Sequence, residues 1–192
     1  MRIISGRARG IPLLTPGYDI RPTAGRVREA VFSKLGEIVP RSRVADLFAG
    51  SGAYGIEALS REASSAVFVE KNRAACDIIR RNIEKARLAD AADIHPRDVY
   101  TWLRTARHRF DLVFADPPFK KSSEDFDHTT ALLNSRELAA LLASDGIFIL
   151  ESLASREKLE VPPTWKLLDQ RSYGSSLVSF LQPRPNDLPE RD

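Results

Sequence analysis

The chain has 192 residues, 43% of them hydrophobic and 29% charged, with a formal net charge of +3, one cysteine and three histidines. Such a composition fits one soluble globular domain with a real core, and it excludes a disulfide scaffold, a low-complexity chain and, with no window near 18 apolar residues, a membrane-spanning helix. His95, His108 and His128 lack metal-ligand spacing, and the first ten residues carry three arginines without the apolar run of a signal peptide, so no metal and a cytoplasmic location are expected.

The charge is unevenly spread. Residues 1–43 hold nine basic side chains against three acidic ones, a net +6, which leaves −3 for the remainder. A basic segment on a slightly acidic body suits contact with a polyanion, although a merely solvated basic face has the same signature.

In chain order, residues 2–5 and 10–15 are β-compatible runs around Gly6-Arg7-Ala8-Arg9-Gly10, which predicts a hairpin with arginines at its tip. Arg21-Pro22-Thr23 predicts a helix start with Thr23 as N-cap. Val27, Ala30, Val31, Lys34 and Leu35 continue it toward Pro40 and place Arg26 and Arg28 near its beginning. From residue 43 strands and helices alternate: strand 43–48, helix 52–60, strand 66–69, amphipathic helix 71–88, a weak strand 92–95, a short helix through Trp102 and Leu103, and a strand at 112–115. A helix over 131–142 with a break near Ser135 and an apolar strand at 146–150 follow, before strand-like runs at 165–170 and 177–181 that suggest an antiparallel hairpin. Residues 183–192, with three prolines and no apolar periodicity, predict a disordered tail. The expected division is a basic appendage at 1–40, an α/β domain at 41–182 and the tail.

Two stretches carry chemistry. Gly50-Ser51-Gly52-Ala53-Tyr54-Gly55 satisfies G-x-G-x-x-G between a predicted strand and a predicted helix, with Glu70 twenty residues beyond Gly50. That is formally a dinucleotide fingerprint, but Asp46 would bring negative charge toward a pyrophosphate. A cofactor with cationic groups and a ribose fits better, and S-adenosylmethionine has both. Glu70 can then accept from the ribose hydroxyls, and Asp98 can reach the adenine amine. Each acid could instead be a helix cap.

The second stretch is Asp116-Pro117-Pro118-Phe119, delivered by the apolar strand 112–115 to the edge where open α/β sheets bind ligands. The prolines make a rigid ledge. Asp116 and the Pro117 carbonyl can accept both N–H bonds of an exocyclic amine while Phe119 stacks on its ring. The plainer alternative is a proline-rich turn with Asp116 as a cap or a solvated acid.

Ile3-Ile4-Ser5-Gly6, Arg21-Pro22-Thr23 with the residues 26–30, the run from Asp46 to Ser60, Val69-Glu70 and Asp116-Pro117-Pro118-Phe119 together resemble the RsmD family, bacterial 16S ribosomal RNA guanine-N2 methyltransferases. Tyr54 departs from the smaller aliphatic residue usual there, which could narrow the region near the cofactor. The resemblance implies an α/β class I methyltransferase, a Rossmann-like, mostly parallel seven-stranded sheet with an antiparallel strand, preceded by a small N-terminal hairpin and helix. It implies transfer of methyl from S-adenosylmethionine to guanine N2 in 16S ribosomal RNA, within a small-subunit assembly particle. The residues and the resemblance together assign Asp116, Pro117 and Phe119 to catalysis, Asp46, Ala49, Gly50, Ser51, Gly52, Glu70 and Asp98 to the cofactor, and Arg7, Arg9, Arg21, Thr23 and Arg26 to RNA, with no metal and no protein partner expected. A DNA adenine-N6 methylase, which needs the same ledge, and an idle RNA-binding protein of the same fold are the alternatives.

Overall fold

The computed structural model describes residues 1–17, 24–120, 122, 124–154 and 159–184. The expected N-cap Thr23, with Arg21, and the tail from 185 onward lie outside the described residues. Seven strands form one sheet: β1 (Arg43–Leu47), β2 (Ser65–Val69), β3 (Ala92–His95), β4 (Phe110–Ala115), β5 (Leu142–Leu153), β6 (Trp165–Tyr173) and β7 (Ser176–Pro183). Their order is β3-β2-β1-β4-β5-β7-β6, and β7, inserted between β5 and β6, runs antiparallel to both. The antiparallel strand follows from a turn of two residues at Gly174, whose φ is 60°, too short for the crossover that a parallel neighbour needs. The chain builds outward from β1 to β3 and then returns to place β4 on the other side of β1. That reversal opens a crevice at the carboxyl ends of β1 and β4.

The strands alternate between two apolar layers because successive side chains point to opposite faces. Val44, Leu112, Phe114 and Ile149 face α1 (Ala24–Leu35), α2 (Ala53–Ser60) and α3 (Arg73–Ala86), packing with Phe32, Ile56 and Ile79. Leu47, Val113, Ala115 and Phe148 face the other way. They meet Trp102 and Leu103 of α4 (Val99–Thr105), Leu132 of α5 (His128–Leu133) and Leu138 of α6 (Arg136–Leu141). Among the described residues no helix is long and apolar enough to cross a membrane.

The break expected near Ser135 divides that helical stretch into α5 and α6, because Ser135 leaves the helical conformation and its side chain caps α6 by accepting from the Leu138 N–H at 3.1 Å. Strand β5 is longer than its apolar run, since pairing with β7 carries it through Leu153 and a register shift against β4 accommodates its first residues. The N-terminal hairpin is short: Arg2 bridges Pro12, and Ile3 N to Ile11 O at 3.0 Å, Gly10 N to Ile3 O at 2.9 Å and Leu13 N to Met1 O at 3.0 Å join its arms.

Contacts from α2 and α3 hold this hairpin to the sheet domain. Glu57 of α2 accepts from Ile4 N at 2.7 Å and Ser5 N at 3.0 Å, the Ser60 carbonyl accepts from Arg7 N and its hydroxyl from Ala8 N, and the Asn82 side chain of α3 bonds both N–H and C=O of Leu14. Gly6, at φ +81°, lies so close to the end of α2 that a Cβ would fall 1.8 Å from the Ser60 carbonyl oxygen. Ile3, Ala8 and Leu13 are buried in the layer that holds α1 to α3.

Candidate active site

The crevice begins with the loop between β1 and α2. Gly52, at φ +76°, is the left-handed N-cap of α2, a conformation that a Cβ disfavours. Buried Asp46 accepts from the Gly55 N–H at 2.9 Å and so ties the end of β1 to the first turn of α2. Burial pushes the Asp46 carboxyl up to about 8, with Asp116 and Glu70 adding to the shift and the Gly55 N–H and Arg28 opposing it. Across the loop, Glu70 accepts from Gly50 N at 3.0 Å and from Asn72 N at 2.8 Å. Asp98 is exposed and caps α4 through Thr101 N at 3.0 Å. The capping role is therefore real for Asp98, and a second lone pair on each carboxylate oxygen leaves acceptor capacity for a ligand.

On the other side of the switch point, β4 ends at Ala115 and the chain turns into the ledge. Pro117 is buried, Asp116 and Phe119 are half-buried, and Pro118 is exposed. Both sides line one cavity of about 570 Å³. Its walls include Asp46, Ala49, Gly50, Ser51, Glu70 and Asp98 from the cofactor set, together with Asp116, Pro117 and Phe119. Gly52 stands just behind, at the head of α2. Arg7, Arg9 and Arg26 are exposed and do not line the cavity. Arg7 and Arg9 sit where Ser60 closes α2, eight residues and roughly 12 Å along the helix from the glycine loop.

Among the cavity residues outside the expected set, Arg28, Tyr54 and Glu151 carry polar groups that are buried or bonded to one another. Arg28 is 2% exposed and donates to the Arg2 carbonyl at 2.7 Å and to Met1 Sδ at 2.9 Å, with its Nε 3.8 Å from Glu57. Burial lowers its pKa from the ordinary arginine value, and Glu57 opposes the shift. The available signal was its place four residues before Phe32 and seven before Leu35, on the apolar stripe of α1. Tyr54 stacks on Phe114, with ring centroids 5.1 Å apart, and donates to Glu151 Oε2 at 3.2 Å. Glu151 follows the apolar run of β5 just as Glu70 follows β2 and Asp116 follows β4, and that repeated position was its signal.

The donor set can be weighed against a ligand. A cavity of this size accepts a nucleoside cofactor, Phe48, Val69 and Val99 give it apolar walls, and Asp46, Glu70 and Asp98 provide carboxylates for cationic groups and ribose hydroxyls. A pyrophosphate would meet buried Asp46 beside the loop. The sheet order with its inserted antiparallel β7, the glycine loop after β1 and the acid after β2 define an S-adenosylmethionine-dependent methyltransferase with a Rossmann-like fold.

Residues 1–182 match the family described as Conserved hypothetical protein 95, and the chain belongs to it, the RsmD family. Ribosomal RNA small subunit methyltransferase D of Escherichia coli (strain K12) is 32% identical over 183 residues, covering 95% of this chain and 89% of that one. YlbH of Bacillus subtilis (strain 168) is 31% identical over 188 residues, 96% of this chain and 100% of the relative. The solved structure of yhhF from Escherichia coli superposes with a TM-score of 0.79 at 30% identity, covering 96% of this chain and 98% of the other. A more distant chain, SMU.776, solved with S-adenosylhomocysteine, shares the fold at a TM-score of 0.65 and 17% identity over 84% of this chain and 50% of its own.

Proposed function

We propose that the protein methylates the exocyclic N2 of a guanine in 16S ribosomal RNA, as a cytoplasmic enzyme acting on a small-subunit assembly particle. The observation that carries this reading is the single cavity in which the glycine loop with Glu70 faces Asp116, Pro117 and Phe119 across the switch point. The names of the relatives supply the substrate class: the Escherichia coli relative is a ribosomal RNA small subunit methyltransferase.

S-adenosylmethionine supplies a methyl group on a positively charged sulfur, an electrophile that needs only a well-placed lone pair. The guanine amine is a poor nucleophile because its lone pair is delocalised into the ring. Asp116 and the Pro117 carbonyl, by accepting both N–H bonds, hold the nitrogen out of plane with its lone pair toward the cofactor side and stabilise the positive charge that grows on it. Phe119 stacks on the ring, worth about 1 to 3 kcal/mol. The base must leave its own stack to reach the ledge. Glu70 holds the ribose, Asp98 the adenine amine, and Asp46 faces the cationic end of the cofactor.

Residues 1–40 form the RNA-facing part. Arg7, Arg9 and Arg26, with Arg21 and Thr23, hold phosphates. The distance of the Arg7 and Arg9 tip from the glycine loop gives the RNA a footprint longer than the target nucleotide.

The test is incubation with methyl-labelled cofactor and separate pools of ribosomal RNA, small subunits, tRNA and DNA, followed by nucleoside analysis. Label in N2-methylguanosine of 16S RNA is expected, and Asp116→Ala should lower it by on the order of 100 to 1,000-fold with cofactor affinity within a few-fold. Label in N6-methyladenine of DNA, or wild-type turnover in the variant, would overturn the reading.

A further inference from the structure

The ledge by itself cannot tell guanine from adenine or cytosine, because all three present an exocyclic amine. What differs is the ring atom beside that amine. In guanine it is N1–H, a donor. In adenine it is N1 and in cytosine N3, each a bare lone pair. A site that selects guanine therefore needs an acceptor next to the pair that holds the amine.

The structure has a carboxylate at that place. Ala115, the last residue of β4, is in register with Leu150 of β5, so Asp116 leaves its strand at the level of Glu151, and both carboxylates act on the Tyr54 hydroxyl. Glu151 is 4% exposed, yet it lines the same cavity as Asp116 and Pro117. Its Oε2 accepts from the Tyr54 hydroxyl at 3.2 Å. Tyr54 is itself fixed by stacking on Phe114 and, at 6.3 Å between centroids, on Phe32. Burial, with the charges of Glu151 and Asp116, raises the phenol well above its ordinary value, so Tyr54 remains a donor and orients the carboxylate. A long polar side chain so held, at the edge where the base must lie, is more than a surface acid.

We infer that Glu151, positioned by Tyr54, accepts the N1–H of the target guanine and is the specificity-determining residue of the site. This rests on the guanine-N2 reading above. With Asp116 and the Pro117 carbonyl it completes an acceptor–acceptor–acceptor row against the three donor hydrogens of N1 and N2. An adenine or cytosine on the same ledge would set a ring lone pair against the Glu151 carboxylate, and the mismatch repels. Tyr54, in place of a small aliphatic side chain, acts through Glu151 and is a positioning residue.

The probe is small-subunit RNA rebuilt by ligation, after the methylated guanosine has been mapped, with either guanosine or 2-aminopurine riboside at that position. 2-Aminopurine keeps the N2 amine and replaces N1–H by a lone pair. The wild-type enzyme should prefer guanine by about 100-fold or more in kcat/KM, as sites built around a substrate N–H do. Glu151→Gln, whose amide can donate to the bare nitrogen, should cut that preference at least tenfold, while affinity for S-adenosylhomocysteine stays within a few-fold and reports an intact fold. Tyr54→Phe should reduce the preference by a smaller factor, a readout that a purely structural tyrosine would not move. Equal rates on the two RNAs in the wild type overturn the inference without any variant, and so does an unchanged preference in a folded Glu151→Gln. Absence of N2-methylguanosine from every wild-type reaction is a different failure, that of the functional reading itself.

Discussion

Replacing Asp46 by Asn isolates the effect of one buried carboxyl on stability. The group is held near 8 in the folded protein against an ordinary value of 3.8, chiefly by burial, so between those values the folded state binds a proton that the unfolded chain has released. Stability from this group is therefore complete at low pH and is lost as pH rises toward 8. Each pH unit in that interval is worth about 1.4 kcal/mol, so the ligand-free protein should lose about 4 kcal/mol between pH 5 and pH 8 through Asp46 alone. For a chain of this size that corresponds to a fall in Tm on the order of 10 °C. Asn keeps an oxygen for the Gly55 N–H and cannot ionise. Thermal melts of both proteins without cofactor, across that range, should show curves that diverge with rising pH, the wild type falling faster. Parallel curves would refute the reasoning. A cationic cofactor favours the ionised carboxylate, so calorimetric titration at pH 7 in buffers of different ionisation enthalpy should also show proton release on binding to the wild type and less on binding to Asp46→Asn.

Glu70→Ala should weaken S-adenosylmethionine and S-adenosylhomocysteine together, by about tenfold, because the ribose is common to both and the variant also frees the Gly50 N–H; calorimetry showing unchanged affinity for both would leave Glu70 a loop tie only. Arg7→Ala and Arg9→Ala should each reduce the slope of log RNA affinity against log salt by about one, with melting curves close to wild type since both side chains are exposed. An unchanged slope in both would remove the hairpin tip from the RNA surface. Gly6→Ala should cost about 3 kcal/mol or more, from its positive φ and from a Cβ driven into the Ser60 carbonyl, read by chemical denaturation; a change below 1 kcal/mol would mean that the tip lifts off α2 freely.

The order of strands and helices from 43 to 181, and the two stretches that face each other across the cavity, were legible in the residues because both depend on short-range pattern. Apolar runs closed by Glu70 and Asp116, glycines where φ must be positive, and prolines that stiffen a ledge all act within a few positions of one another. Even the break near Ser135 was visible, since a capping side chain acts three residues away. The sequence alone thus determined the elements, the glycine loop, the ledge and the family resemblance. Tertiary structure decided what depends on residues far apart in the chain. It pinned the expected hairpin to Glu57, Ser60 and Asn82, and it carried Arg7 and Arg9 to the far end of α2. It buried Arg28 within the layer that its stripe on α1 faces, and it set Glu151 under the Tyr54 hydroxyl, a contact spanning 97 positions, at the level where Asp116 leaves β4. Local pattern states which side chains leave a strand or helix on a given face. Only strand order and register state which two of them meet, because burial and hydrogen-bond partners are properties of the assembled layers.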